Sequence, residues 1–92
     1  MSNEKAGTVA ARLRSWVEDT FFVDGFADST SFLKNRLIDS TGMMELVVFI
    51  ESEFGFKAED AELVPDNLDS IDNLVGYVER KRGVRVIPAR VG

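Results

Sequence analysis

The segment "STGMMELVVFIESEF", residues 40 to 54, constrains the fold of this 92-residue chain more than any other stretch. Setting each residue roughly 100° on from the last, Met43, Leu46, Val47, Ile50 and Phe54 fall within about one third of a helix circumference. That stripe predicts a helix from Ser40 to Phe54, opened by the Asp39-Ser40 pair and stopped by Gly55. An apolar stripe of this kind has to be buried, so the rest of the chain must supply a cover. Glu45, Val48, Phe49 and Ser52 fall on the opposite side, where polar residues alone are expected. Phe49 is therefore covered either by the long loop described below or by another protein. Val48 is the better candidate for an exposed contact.

Two further stretches have the periodicity to provide the cover. In "TVAARLRSWVEDTFF" the residues Val9, Leu13, Trp16, Val17 and Phe21 share one face, with Thr8 as N-cap and Asp24-Gly25 ending the run. After Ser70, itself a predicted N-cap, Ile71, Leu74, Val75 and Val78 repeat in the same way. That helix is expected to end near Arg82-Gly83, with Arg80, Lys81 and Arg82 at its negative end. Between the second and last helices, "KAEDAELVPDNLD" has room for one short turn of helix before Pro65. Residues 23 to 39 form a long connection. Phe26, Phe32, Leu33, Leu37 and Ile38 make it too apolar for a free linker, so it should be pinned to the core, with a helical turn around Ser31 to Asn35. The expected fold is all-α: a small four-helix bundle of three main helices and one short one, with a long first loop. Residues 1–83 make the domain, and 84–92 are expected to be a flexible basic tail.

What the chain lacks narrows its chemistry. It has no histidine and no cysteine, which removes Ser-His-Asp and Cys-His catalysis, imidazole and thiolate metal sites, and disulfides. No Gly-rich phosphate loop or Ca²⁺-loop spacing is present, and "DNLDSIDN" lacks the alternate-ligand pattern. No apolar run approaches the ~20 residues needed to span a bilayer. "MSNEKAGTVAARLR" has no apolar centre of a signal peptide, so a cytoplasmic location is expected. From Asp39 to Glu79 there are eleven acidic residues against one basic residue, Lys57. A bias that one-sided disfavours nucleic acid as a partner and suits basic protein surfaces.

Ser40 is the residue on which these features converge. A Ser preceded by Asp at a helix start is most simply a cap, contributing ~1 kcal/mol. Capping alone leaves Gly42 unexplained, because glycine inside a helix costs up to ~1 kcal/mol relative to alanine. On the sequence alone, its advantage is unobstructed backbone approach beside the Ser40 hydroxyl.

The residues "IDSTGMMELVVFIESEFG" resemble the acyl carrier protein family. They hold an Asp-Ser pair at the start of the second helix, Glu45 five residues on, and the acidic-Phe pair Glu53-Phe54 at its end. "PDNLDSIDNLVGYVE" resembles the family's last connector and last helix, and the likeness runs over roughly residues 32 to 80. It implies a carrier rather than an enzyme, a 4′-phosphopantetheine arm on Ser40, and an acyl or aminoacyl group held as a thioester at the tip of that arm. It implies as partners a phosphopantetheinyl transferase, an acyl- or aminoacyl-activating ligase and acyltransferases, docking on Asp39, Thr41, Met44, Glu45 and Val48. The expected state is monomeric. Thr41 and Gly42 depart from the usual fatty-acid-type pattern. Leu37-x-Asp39-Ser40-x-Gly42 is closer to D-alanyl carriers and to carriers loaded by stand-alone adenylating ligases.

Two other readings stay open at this level. One is a carrier fold that never receives the arm and serves only as an interaction module. The other is a hydrolase or transferase using Ser40 as nucleophile, which would need Lys34 or Lys57 as its base. If the cargo is a long acyl chain, the bundle must open beside the second helix, with Met43 and Leu46 lining the space. A short or aminoacyl group would stay outside, and the Ser-Thr-Gly turn points towards that smaller cargo.

Overall fold

The computed structural model describes residues 8–83. The segment 84–92, expected as a basic tail, lies outside the described residues. Regular structure among the described residues is entirely helical: α1 (Val9–Phe21), α2 (Ser40–Phe54), one 3-10 turn (Asp60–Glu62), α3 (Pro65–Leu68) and α4 (Ile71–Arg82). This is the expected small bundle of three main helices and one short one. None of these helices is long and apolar enough to cross a membrane.

The caps of α1, α2 and α4 explain their bounds. The Thr8 hydroxyl accepts from the Ala11 amide, and the Ser70 hydroxyl accepts from the Asn73 amide, each satisfying a first-turn donor that has no acceptor within its own helix. Gly55 and Gly83 close α2 and α4 in the left-handed conformation, which glycine adopts without a Cβ penalty. α1 stops earlier than the sequence suggested. Phe22 carries the left-handed reversal that ends the helix (φ 57°), three residues before Gly25, which is also left-handed (φ 74°), and Phe22 is 91% exposed.

The short elements also differ from expectation. The turn foreseen ahead of Pro65 is the 3-10 turn Asp60–Glu62, and a four-residue α3 begins at Pro65 itself. Proline is well suited to the first helical position, where its missing N–H costs nothing and its φ is preset.

α4 contacts α1, α2 and α3 and holds the bundle together. Leu13 and Val17 of α1, Leu46 and Ile50 of α2, and Ile71, Leu74 and Val78 of α4 are all fully buried. Phe32, from the long connection, completes this core with no exposed surface. Asp69 fastens that connection. Its carbonyl accepts from the Phe32 amide at 2.8 Å, and its carboxylate accepts from the Leu33 amide and the Ser31 hydroxyl. The turn expected at Ser31 to Asn35 is present, with the Asn35 amide bonded to the Ser31 carbonyl. Phe49 is covered by α1 instead of by the loop: its ring stacks on Trp16 at 4.6 Å between centroids and 9° between planes.

Candidate functional site

The start of α2 is held by Asp39. With extended backbone, Asp39 accepts from the Gly42 amide on Oδ1 at 2.8 Å, and its carbonyl accepts from the Met43 amide at 2.9 Å. Asp39 is therefore the N-cap and Ser40 the first helical residue. This division of labour leaves the Ser40 hydroxyl exposed and without a hydrogen bond among the described residues. The Ser40 and Thr41 amides likewise have no intrahelical acceptor and lie at the positive end of the helix.

Gly42 has a different purpose from the one its position suggested. It is buried, and a Cβ there would lie 2.7 Å from Phe21 Cε1 and 2.8 Å from Ile38 Cγ2. The glycine lets α2 approach the end of α1 and the tail of the long connection. The packing on Phe21 and Ile38 accounts for it without any appeal to access around Ser40.

The residues expected to meet partners come together on one exposed stripe. Thr41, Met44, Glu45 and Val48 stand at steps of three, one and three along α2, so they share a face. All four are exposed, Val48 at 63% and Met44 at 54%. Glu45 forms no ion pair among the described residues.

Beside that stripe runs an apolar groove of about 120 Å³, lined by Leu33, Met43, Met44, Val47, Leu63, Val64, Pro65 and Leu68. Met43 lines it as expected. Leu46 does not, because it points into the closed core. The lining from outside α2, Leu33, Leu63, Val64, Pro65 and Leu68, was not read as a groove from the sequence, and Leu33 and Val64 are about 40% exposed. The available signal was an adjacent apolar pair in each connector, Phe32-Leu33 and Leu63-Val64.

The outer wall of the groove is tied to α4 through Glu62. The Glu62 carboxylate accepts from the Glu59 amide at 3.0 Å, the Tyr77 hydroxyl at 2.8 Å and Lys81 Nζ at 3.0 Å. Its carbonyl accepts from Asn67 Nδ2 and the Val64 amide. These donors hold the Glu62 carboxyl down at about 2; the Glu59 amide has the largest effect, then the Tyr77 hydroxyl and Lys81. Burial, then the bond to Glu62, pushes the Tyr77 phenol well above its usual range.

With this geometry in view, the decisive comparison is with a relative. Over 77 residues the chain is 40% identical to the acyl carrier protein of Thermotoga maritima, covering 82% of this chain and 93% of that protein. The chain belongs to the acyl carrier protein family. No family model matches it. As an acyl carrier family member, it presents a serine hydroxyl at a helix start, an exposed stripe beside that serine and an apolar groove along the same helix. Among the described residues no cluster of acidic side chains is arranged to hold a metal ion. No hydrogen bond joins the Ser40 hydroxyl to Lys34 or Lys57 among the described residues.

Proposed function

We propose that this protein carries an acyl group as a thioester on a 4′-phosphopantetheine arm joined to Ser40, and presents it to partner enzymes in the cytoplasm as a monomer. The observation that carries this reading is that Asp39 does the capping while Ser40, one residue on, keeps an exposed hydroxyl. The residues fit a phosphodiester. The Ser40 and Thr41 amides lie at the positive helix end, where an anion is stabilised. Asp39 fixes the turn without using the serine oxygen. The arm supplies the thiol that a chain without cysteine lacks. Address and tether are then what the protein itself contributes.

A phosphopantetheinyl transferase, a loading ligase and acyltransferases would dock on the stripe of Thr41, Met44, Glu45 and Val48, with Asp39 at its end. Glu45 would meet Arg or Lys of a partner, raising on-rate and selectivity. The groove favours an apolar acyl chain over an aminoacyl group, because its lining offers no partner for an ammonium. Gly42 no longer argues for a D-alanyl-type cargo, since its packing against Phe21 and Ile38 suffices to explain it.

The test is intact mass after coexpression with a broad-specificity phosphopantetheinyl transferase. One added arm, abolished by Ser40→Ala, is the expected result. A chain that gains no mass yet still binds basic partners in a salt-sensitive way would be an interaction module only.

A further inference from the structure

The groove has two walls of opposite character. On the α2 side stand Met43 and Met44, unbranched side chains that repack readily. They follow Ser40 by three and four residues, with Val47 at seven, so the groove begins on the face that carries the serine. Along the axis that start is about 4.5 to 6 Å from Ser40. On the other side stand Leu63, Val64 and Pro65, and these immediately follow Glu62.

Glu62 is the hub of that second wall. Its side chain joins the 3-10 turn to α4 by bonds to Tyr77 and Lys81, and its backbone carbonyl is bonded from α3 by Asn67 Nδ2. Tyr77 is itself enclosed: it is 2% exposed, and its ring meets Phe56 edge-to-face at 5.6 Å. That side of the groove is thereby tied to α4, which leaves the methionines and the half-exposed Leu33 as the lining side chains with room to move.

We propose that Glu62 is a specificity-determining latch: by anchoring Leu63, Val64 and Pro65 to α4 it sets the longest acyl chain that the groove beside Ser40 admits. The proposal rests on the reading of the protein as a carrier whose acyl chain occupies that groove. Glu62 acts as a positioning residue and need not touch the chain.

The experiment uses the full chain with its arm, loaded with acetyl, butyryl, octanoyl or dodecanoyl groups. The rate of thioester cleavage by hydroxylamine is measured for the wild type and for Glu62→Gln, Tyr77→Phe and Lys81→Met. In the wild type, protection relative to acetyl should rise with length and then level off. In the variants the plateau should move to longer chains, with dodecanoyl cleaved about fivefold more slowly than in the wild type, the factor for one ordinary hydrogen bond lost from the latch. Acetyl cleavage should not change. Amide exchange at residues 63, 64 and 66–68 should rise in the same variants, and Lys81→Met, the mildest change, keeps the test available if another variant fails to fold. Identical length profiles in the wild type and in variants with raised exchange would overturn the latch. Absence of protection at any length would overturn it too, while a mass gain at Ser40 would leave the carrier reading standing.

Discussion

Gly42 and Phe21 are in contact so close that even a methyl group on the glycine would have to displace the ring: the Cβ position lies 2.7 Å from Cε1 and 3.2 Å from Cζ. The neighbours cannot easily yield. Phe21 is held edge-to-face against Trp16, and Ile38, on the other side, is 2% exposed. Gly42→Ala improves helix propensity by up to ~1 kcal/mol but introduces overpacking worth roughly 1–3 kcal/mol. The expected net result is a loss of about 1 kcal/mol in chemical denaturation. Combining it with Phe21→Leu should recover part of that loss, a coupling that a double-mutant cycle measures.

Asp39 and Ser40 should separate cleanly in their effects. Asp39→Ala removes the cap from the Gly42 amide and is expected to lower stability by about 1 kcal/mol. Ser40→Ala removes an exposed, unbonded hydroxyl and should change stability by less than ~0.5 kcal/mol, while abolishing attachment of the arm. Thermal melting of the two unmodified variants checks the contrast. A Ser40→Ala loss as large as that of Asp39→Ala would mean the hydroxyl is in structural use.

Local signals made α2 and α4 legible in the sequence. Their apolar stripes, the hydroxyl or carboxylate before each, and Gly55 and Gly83 after them all fall within one helix length. What could not be read depended on contacts between distant parts of the chain, or on a residue breaking its usual habit. Gly42 owes its place to Phe21, which lies on another helix. Phe22 ends α1 in a left-handed conformation three residues before Gly25, the residue that composition alone would choose for that end. Pro65 reads as a breaker, yet it opens α3 because the first helical position needs no N–H. In the site, the serine and its stripe were visible from spacing within α2. The groove needed Leu33 and Val64 brought in from two separate connectors, and the Glu62–Tyr77 bond joins residues too far apart in sequence for any periodic pattern to reveal.

Trp16 and Phe49 account for the aromatic side chain that had looked out of place on the polar side of α2. Their near-parallel stacking should contribute about 0.5–1.5 kcal/mol beyond area burial. A cycle of Trp16→Leu, Phe49→Leu and the pair should show a coupling of that size in denaturant melts. Val48→Ser, one residue away on the exposed stripe, should leave the same melts unchanged while weakening capture by a phosphopantetheinyl transferase. Equal destabilisation by Val48→Ser would place that side chain in the packing instead of on the docking face.

The Glu62 latch has a pH signature. Its carboxyl is brought from the ordinary 4.5 to about 2, first by the Glu59 amide, then by the Tyr77 hydroxyl and Lys81. Above about 4.5 the group is ionised in both folded and unfolded chains, so its full stabilisation is present there. On acidification the unfolded chain takes up the proton first, so the contribution shrinks as the pH falls from about 4.5 through about 2. Glu62→Gln has no such proton to gain. Thermal midpoints measured from about pH 6 down to about pH 2.5 should show the wild type well above the variant at the upper end and the two converging at the lower end. Tyr77 works in the opposite direction: burial and the bond to Glu62 raise its phenol above 10.0, so its stabilisation is present below that value and declines as the pH rises beyond it. Tyr77→Phe should flatten the alkaline limb and leave in place the acid slope contributed by the Glu59 and Lys81 bonds. Wild-type and Glu62→Gln curves that run parallel across the acid range would mean that Glu62 is not held by these three donors in solution.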